Sequence, residues 1–355
     1  MNKYLNHIGI FILALIIFSC RENNEPLPQE EIFVVEVPSN FEDLPVPESN
    51  EFSKEKIELG RLLFYDPILS GNNQVSCASC HIQSKAFTDG DALTRRGVSG
   101  EALLRHTPAL INLAWMPGLF WEGGAKNIES LALGPIGHPD EMNQDIVELV
   151  KELNEDSEYP LFFQNAFGPG DIELTQVLKA LAQFQRTLIS GDSRYDKYIR
   201  NEDGVTFSMQ ELNGLSLYEE HCSSCHSGFL FTDNAFHNNG IDSSWNDISN
   251  EFIFTGRYRI TFDSADLGKY KTPTLRNIAL TAPYMHDGRF ESLEEVLKHY
   301  STQVKYSPSL DEHFKNEDGS YGIPLSEEEK RDIIAFLNSL TDEEFISNQR
   351  FSSPK

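Results

Sequence analysis

Cys77-Ala78-Ser79-Cys80-His81 and Cys222-Ser223-Ser224-Cys225-His226 share one spacing, C-x-x-C-H. Two thiols at that separation can form thioethers to the edge of a porphyrin, and the next imidazole then reaches its iron. This is the attachment pattern of a c-type haem. The same thiols could also serve a thioredoxin-like redox pair or half of a zinc site. The His stands in register in both copies and no further ligand pair completes a zinc site, so two haems are the favoured reading. Four of the five cysteines lie in the motifs, which leaves no pair for a disulfide; the fifth is Cys20.

The elements that must hold these motifs are mostly helical. Phe52, Ile57, Leu59, Leu62 and Leu63 recur at helical spacing, so 53–64 reads as an amphipathic helix with Ser53 as N-cap. Further helices are expected over 145–154, 174–189, 293–300 and 326–340, the last opened by a Ser326/Glu329 capping box. Strand signals are scarce, mainly over 252–261, and 191–204 reads as a polar connection. Glu58-Leu59-Gly60 through Phe64 compares with Glu211-Leu212 and Gly214 through Tyr218, as an internally duplicated haem unit would. The expected fold is mainly α: two cytochrome c-like helical haem domains with long loops. They would span 51–200 and 201–345.

The N-terminus has its own logic. Lys3 precedes a short apolar run, and Ile17-Phe18-Ser19-Cys20 resembles a bacterial lipobox, so 1–20 reads as a lipoprotein signal peptide with a lipid on Cys20. An ordinary cleaved signal or a weak anchor is the alternative. Residues 21–50 are rich in Pro, Glu and Asn and read as a flexible tether. Both readings place the chain outside the cytoplasm, in the periplasm or cell envelope. The net charge of −26, from 55 acidic and 29 basic residues, argues against nucleic acid as a partner.

Several ordered motifs resemble the bacterial di-haem cytochrome c peroxidases, which include the MauG-type enzymes. They are Leu63-Phe64-Tyr65-Asp66-Pro67, Phe120-Trp121-Glu122-Gly123-Gly124, Leu133-Gly134-Pro135-Ile136 followed by Glu141-Met142, and Ala180 through Leu188. The most specific is Thr272-Pro273-Thr274-Leu275-Arg276-Asn277 running into Ala282-Pro283-Tyr284-Met285-His286-Asp287-Gly288. The resemblance covers nearly all of 51–340. It implies two covalently bound haem c groups with divided labour: a peroxidatic haem on His81 and an electron-transfer haem on His226. Trp121 would lie between them and Glu141 would be the distal acid/base. Read alone, Trp121 is a core residue and Glu141 an ordinary acid near a helix start.

The sequence departs from the family's peroxidases at three places. Where they carry a Met ligand to the second iron, this chain has Tyr300, the ligand type of the MauG branch; Met285 and His299 are nearby alternatives. The loop that supplies a removable His to the first iron corresponds to Arg96-Gly97-Val98-Ser99-Gly100, which has none. His106 replaces an Asn that ligates an inter-haem calcium, and an imidazole disfavours calcium. Leu131 also stands where the family has a distal Gln. The implied function is reduction of hydrogen peroxide with electrons from a small cytochrome c or cupredoxin. The alternatives are a MauG-like oxidase acting on a protein or organic substrate, and a non-catalytic di-haem electron carrier. A homodimer is left open.

Overall fold

The computed structural model describes residues 35–245 and 253–354. The expected signal peptide with Cys20 and the first part of the expected tether lie outside them, as does Phe252. From Val35 onward the chain forms one compact unit. It contains helices α1 (Lys54–Tyr65), α2 (Cys77–Cys80), α3 (Ile128–Leu131), α4 (Leu133–Gly137), α5 (Ile146–Glu155), α6 (Tyr159–Phe167) and α7 (Leu174–Arg186). Then come α8 (Arg194–Arg200), α9 (Met209–His221), α10 (Tyr258–Thr261), α11 (Leu293–Lys298), α12 (Glu327–Asn338) and α13 (Glu343–Ser347). A two-residue antiparallel ribbon, β1 (Phe236–His237) with β2 (Tyr270–Lys271), is the sheet among the described residues.

Helix starts follow the capping chemistry. Ser53 Oγ accepts from Lys56 N at 3.2 Å, Asp145 caps α5, and Ser326 forms the expected capping box with Glu329. Two helix pairs carry the packing, α1 on α7 and α9 on α12. Both use the same device. A Cβ built on Gly60 would lie 1.9 Å from Ala180 O, and one on Gly214 would lie 1.9 Å from Asp332 O. Each glycine therefore lets one backbone touch the next. Four residues later, Phe64 and Tyr218 face the two histidine motifs: Phe64 rings lie 6.5 Å from His81, and Tyr218 Oη donates to His226 O.

Two apolar cores result. One runs from Leu59, Leu63 and Phe64 through Phe184, and also takes in Phe345 and Phe351 from the C-terminal end. The other gathers Tyr218, Phe231, Ile333 and Phe336. Three local expectations are overturned. The segment read as a strand over 252–261 is instead a 3-10 turn (Ile253–Thr255) and helix α10. The polar connection 191–204 holds α8, fixed by a buried Asp196 that pairs with Arg276 at 2.8 Å. The end of the presumed tether is also bound: Phe41 packs against Trp115 and Phe229, and Asn50 O accepts from Gln183 Nε2 at 2.6 Å.

Candidate active site

Each C-x-x-C-H segment curls into a turn that brings its His under its own first Cys. His81 N donates to Cys77 O at 2.9 Å, and His226 N donates to Cys222 O at the same distance. Carbonyls only accept, so the ring nitrogen facing one must carry the proton. His81 Nδ1 donates to Phe87 O at 2.7 Å; His226 Nδ1 lies 3.2 Å from Phe231 O and 3.1 Å from Pro273 O. Burial lowers the pKa of both imidazoles, which keeps them neutral. Each Nε2 is left with its lone pair, as an iron ligand requires. The Phe87 and Phe231 carbonyls belong to buried residues at positive φ, 61° and 54°. That conformation costs about 1–3 kcal/mol at a bulky residue and recurs where a site over-determines the backbone.

The other wall of the site is duplicated too. Thr107-Pro108-Ala109-Leu110-Ile111-Asn112 repeats the pattern of Thr272-Pro273-Thr274-Leu275-Arg276-Asn277, and the two runs stay in register beyond it. Asn112 and Asn277 both have left-handed backbones, at φ 55° and 58°. The bridges Leu119–Ala125 and Tyr284–Phe290 correspond, as do the helix caps Asn127 and Ser292. Thr88 Oγ1 donates to Thr107 O and Thr232 Oγ1 to Thr272 O, so each proximal loop is bonded to its own copy. This register sets Trp121 opposite His286, and Pro135 opposite Tyr300. The signal lay in the sequence, in two T-P-x-L-x-N runs, but the expected duplication rested on the helices before the cysteines.

One cavity of about 1200 Å³ joins both halves and is lined by all four motif cysteines, both motif histidines, Trp121, Glu141, Met285 and Tyr300. That exceeds the roughly 300–1,000 Å³ of a single small-molecule site. Burial pushes Cys77 and Cys222 each up to about 12, so both are neutral thiols. Gln185 Oε1 is buried at this cavity with no partner among the described residues, as suits a wall meant to face a bound group. The donor set, the shape and the neutral imidazoles all fit two haems.

The expected residues fall at distinct places around that cavity. Trp121 lines the cavity, its Nε1 donating to His106 O at 2.8 Å and its carbonyl accepting from Lys271 N. Glu141 lies toward the first motif. Burial raises its carboxyl above the usual carboxylate range, against the pull of His138, 3.8 Å away. The loop at 96–100 closes on the same segment, with Val98 N donating to Glu141 O at 2.7 Å. His106 is occupied: its Nδ1 meets Asp91 O at 2.9 Å and its Nε2 faces Thr88 Oγ1. Leu131 is buried in the first core.

At the second motif, Tyr300 is stacked on Phe314 and fully inside the cavity wall. Burial pushes its hydroxyl up to about 12, with the Asn239 amide opposing. His299 turns away, its Nε2 bonded to Asn239 O at 2.9 Å. Two features were not foreseen. Tyr270 stacks on His286 with centroids 3.6 Å apart, beside Trp121. His237 sits between Asp311 and Asp233, at 2.6 and 2.9 Å, next to Cys225.

Comparison with known proteins gives concordant results. The family profile described as di-haem cytochrome c peroxidase matches residues 54–204. The methylamine utilization protein MauG of Methylorubrum extorquens is 38% identical over 85% of this chain and 82% of its own. The cytochrome c551 peroxidase of Nitrosomonas europaea is 30% identical over 81% of this chain and 80% of its own. Among solved structures, a MauG-like protein associated with microbial copper homeostasis is 34% identical, with a TM-score of 0.79, over 91% of this chain and 99% of that one.

Proposed function

Since the chain belongs to the di-haem cytochrome c peroxidase family, we propose that it reduces hydrogen peroxide at the His81 side of its cavity with electrons entering at the His226 side. The haems supply the redox equivalents, two electrons per peroxide, and two protons complete two waters. The chain's own residues do the rest. Cys77, Cys80, Cys222 and Cys225 would fix the two porphyrins as thioethers, and His81 and His226 would hold the irons through their free Nε2. Glu141 moves the proton that O–O cleavage requires from one peroxide oxygen to the other; its raised pKa brings it nearer the working pH. Trp121 gives the electrons an aromatic waypoint between the halves.

One observation carries this division of labour. At the register where the second half presents Tyr300, the first half presents Pro135, which has no donor atom. A haem iron held by His81 would therefore meet no protein donor at this position beside Glu141, whereas one held by His226 would meet Tyr300. Replacing Glu141 with Gln should lower peroxide turnover roughly 10²–10⁴-fold while leaving the haem spectra unchanged. Steady-state oxidation of a reduced small cytochrome by peroxide measures it, and unchanged turnover would remove Glu141 from the mechanism.

Tyr300 favours a second reading, a MauG-like oxidase, because a hard anionic oxygen stabilises ferric and higher iron. The readings separate on what re-reduces the peroxide-oxidised protein, a reduced cytochrome or cupredoxin on one hand and an organic or protein substrate on the other. Inertness toward peroxide would leave an electron carrier. The proposed setting is the periplasm, with a lipid on Cys20 as anchor.

A further inference from the structure

Two donor-bearing side chains, Tyr300 and Met285, line the cavity, and one amide contacts both donor atoms. Asn239 Nδ2 lies 3.4 Å from Tyr300 Oη and 3.4 Å from Met285 Sδ, so the oxygen and the sulfur lie within twice that distance of each other. The backbone that carries this amide is firmly seated. Asn239 O accepts from His299 Nε2, Asn238 Nδ2 donates to Ser307 and Ser309 at 2.9 Å, and Gly240 O accepts from Lys305 N. The two donors are held less conventionally. Met285 has a left-handed backbone, φ 75°, at the position where the first half has Phe120. Tyr300 sits in a π-helical turn (His299–Gln303), a widened turn that recurs at functional sites. His299, the other neighbour able to bind iron, is already spent on the backbone of Asn239.

We propose that Met285 is a second, exchangeable ligand of the iron held by His226, with Tyr300 oxygen bound in the ferric state and Met285 sulfur in the ferrous state. The inference rests on the reading that Tyr300 faces that iron. Ferric iron prefers a hard anionic oxygen and ferrous iron a soft thioether. On one-electron reduction by the donor protein the iron–oxygen bond breaks and the phenol oxygen takes one proton from solvent. A lone pair of the Met285 sulfur then forms the new bond, and oxidation reverses each change. Asn239 Nδ2 keeps the displaced donor within reach throughout. The second half thereby becomes a site whose potential depends on which donor it holds.

The test uses the full chain matured with both haems, with haem content and circular dichroism showing that each variant is folded. In the unaltered protein, EPR should report an oxygen-ligated low-spin ferric iron. Reduced spectra should report a thioether, and cyclic voltammetry should show separated oxidation and reduction waves. Met285→Leu should leave the ferric EPR signal unchanged, abolish the thioether signature of the reduced state and merge the waves. Tyr300→Phe should convert the ferric iron to thioether ligation, and the double variant should leave it high-spin. If Met285→Leu changes neither the reduced spectrum nor the voltammogram, the exchange is refuted while Tyr300 remains the ligand. If instead Tyr300→Phe leaves the ferric spectrum as it was, Tyr300 is not the ligand and both readings fall.

Discussion

His237 shows how single residues in this protein are set by their neighbours. Burial alone would lower its pKa, but bonds to Asp311 and Asp233 more than compensate and raise it above 6.5. Asp311 responds in kind: burial would raise its carboxyl, yet His237 and His313 hold it down at about 2. A raised imidazole stabilises the fold fully below about pH 6.5, and this contribution is lost as pH climbs through the folded value. A depressed carboxylate stabilises it above about pH 3.8 and ceases to do so as pH falls through 2. The cluster is therefore most stabilising between about pH 4 and 6.5. Thermal unfolding at pH 6 and pH 8 should show the natural protein losing more stability on that rise than His237→Gln does. An equal loss in both would show that the cluster does not contribute in this way.

At the scale of elements, the two glycines that seat α1 and α9 are the sharpest points of vulnerability. Gly60→Ala or Gly214→Ala drives a methyl into a carbonyl oxygen that belongs to backbone and cannot swing aside. Each should cost at least the roughly 1–3 kcal/mol of core overpacking, read as a lower midpoint in denaturant unfolding. Gly137→Ala is the control, since a Cβ there meets nothing within 4 Å.

Helices with their own caps, such as α1 behind Ser53 and α12 behind Ser326, were legible because cap and periodicity are local. Helix α8 also has a local cap, Ser193 boxed with Asp196, but its seven residues carry little apolar periodicity, and the ion pair of Asp196 with Arg276 that secures it is distant in sequence. The ribbon of Phe236 on Lys271 eluded the sequence for the same reason: strand pairing is a long-range fact. The motif cysteines and histidines were plain, whereas the meaning of Pro135 emerged only once both halves could be laid in register.

Over the whole molecule, the halves are fastened by contacts that ignore chain order. Phe345 and Phe351 return to the first core, and Arg61 donates to Ser352 O at 2.7 Å. Arg276 is the central tie. Its guanidinium pairs with Asp196, lies 4.7 Å from the Phe41 ring centre and donates to Phe229 O. Both partners of the pair have fully buried side chains. Arg276→Met should therefore cost about 3–5 kcal/mol by stranding a buried carboxylate, and adding Asp196→Leu should restore much of it. Urea midpoints measure both, and a mild Arg276→Met phenotype would contradict this account.

The seat of Phe41 against Trp115 and Phe229 would, under the lipid anchor proposed above, also limit where the enzyme can work. With a lipid on Cys20, the leash runs only from there to Phe41, roughly 20 residues or at most about 70 Å. The catalytic body would then patrol a thin layer above the bilayer, where oxidant crossing the membrane and donors confined beside it are both close at hand.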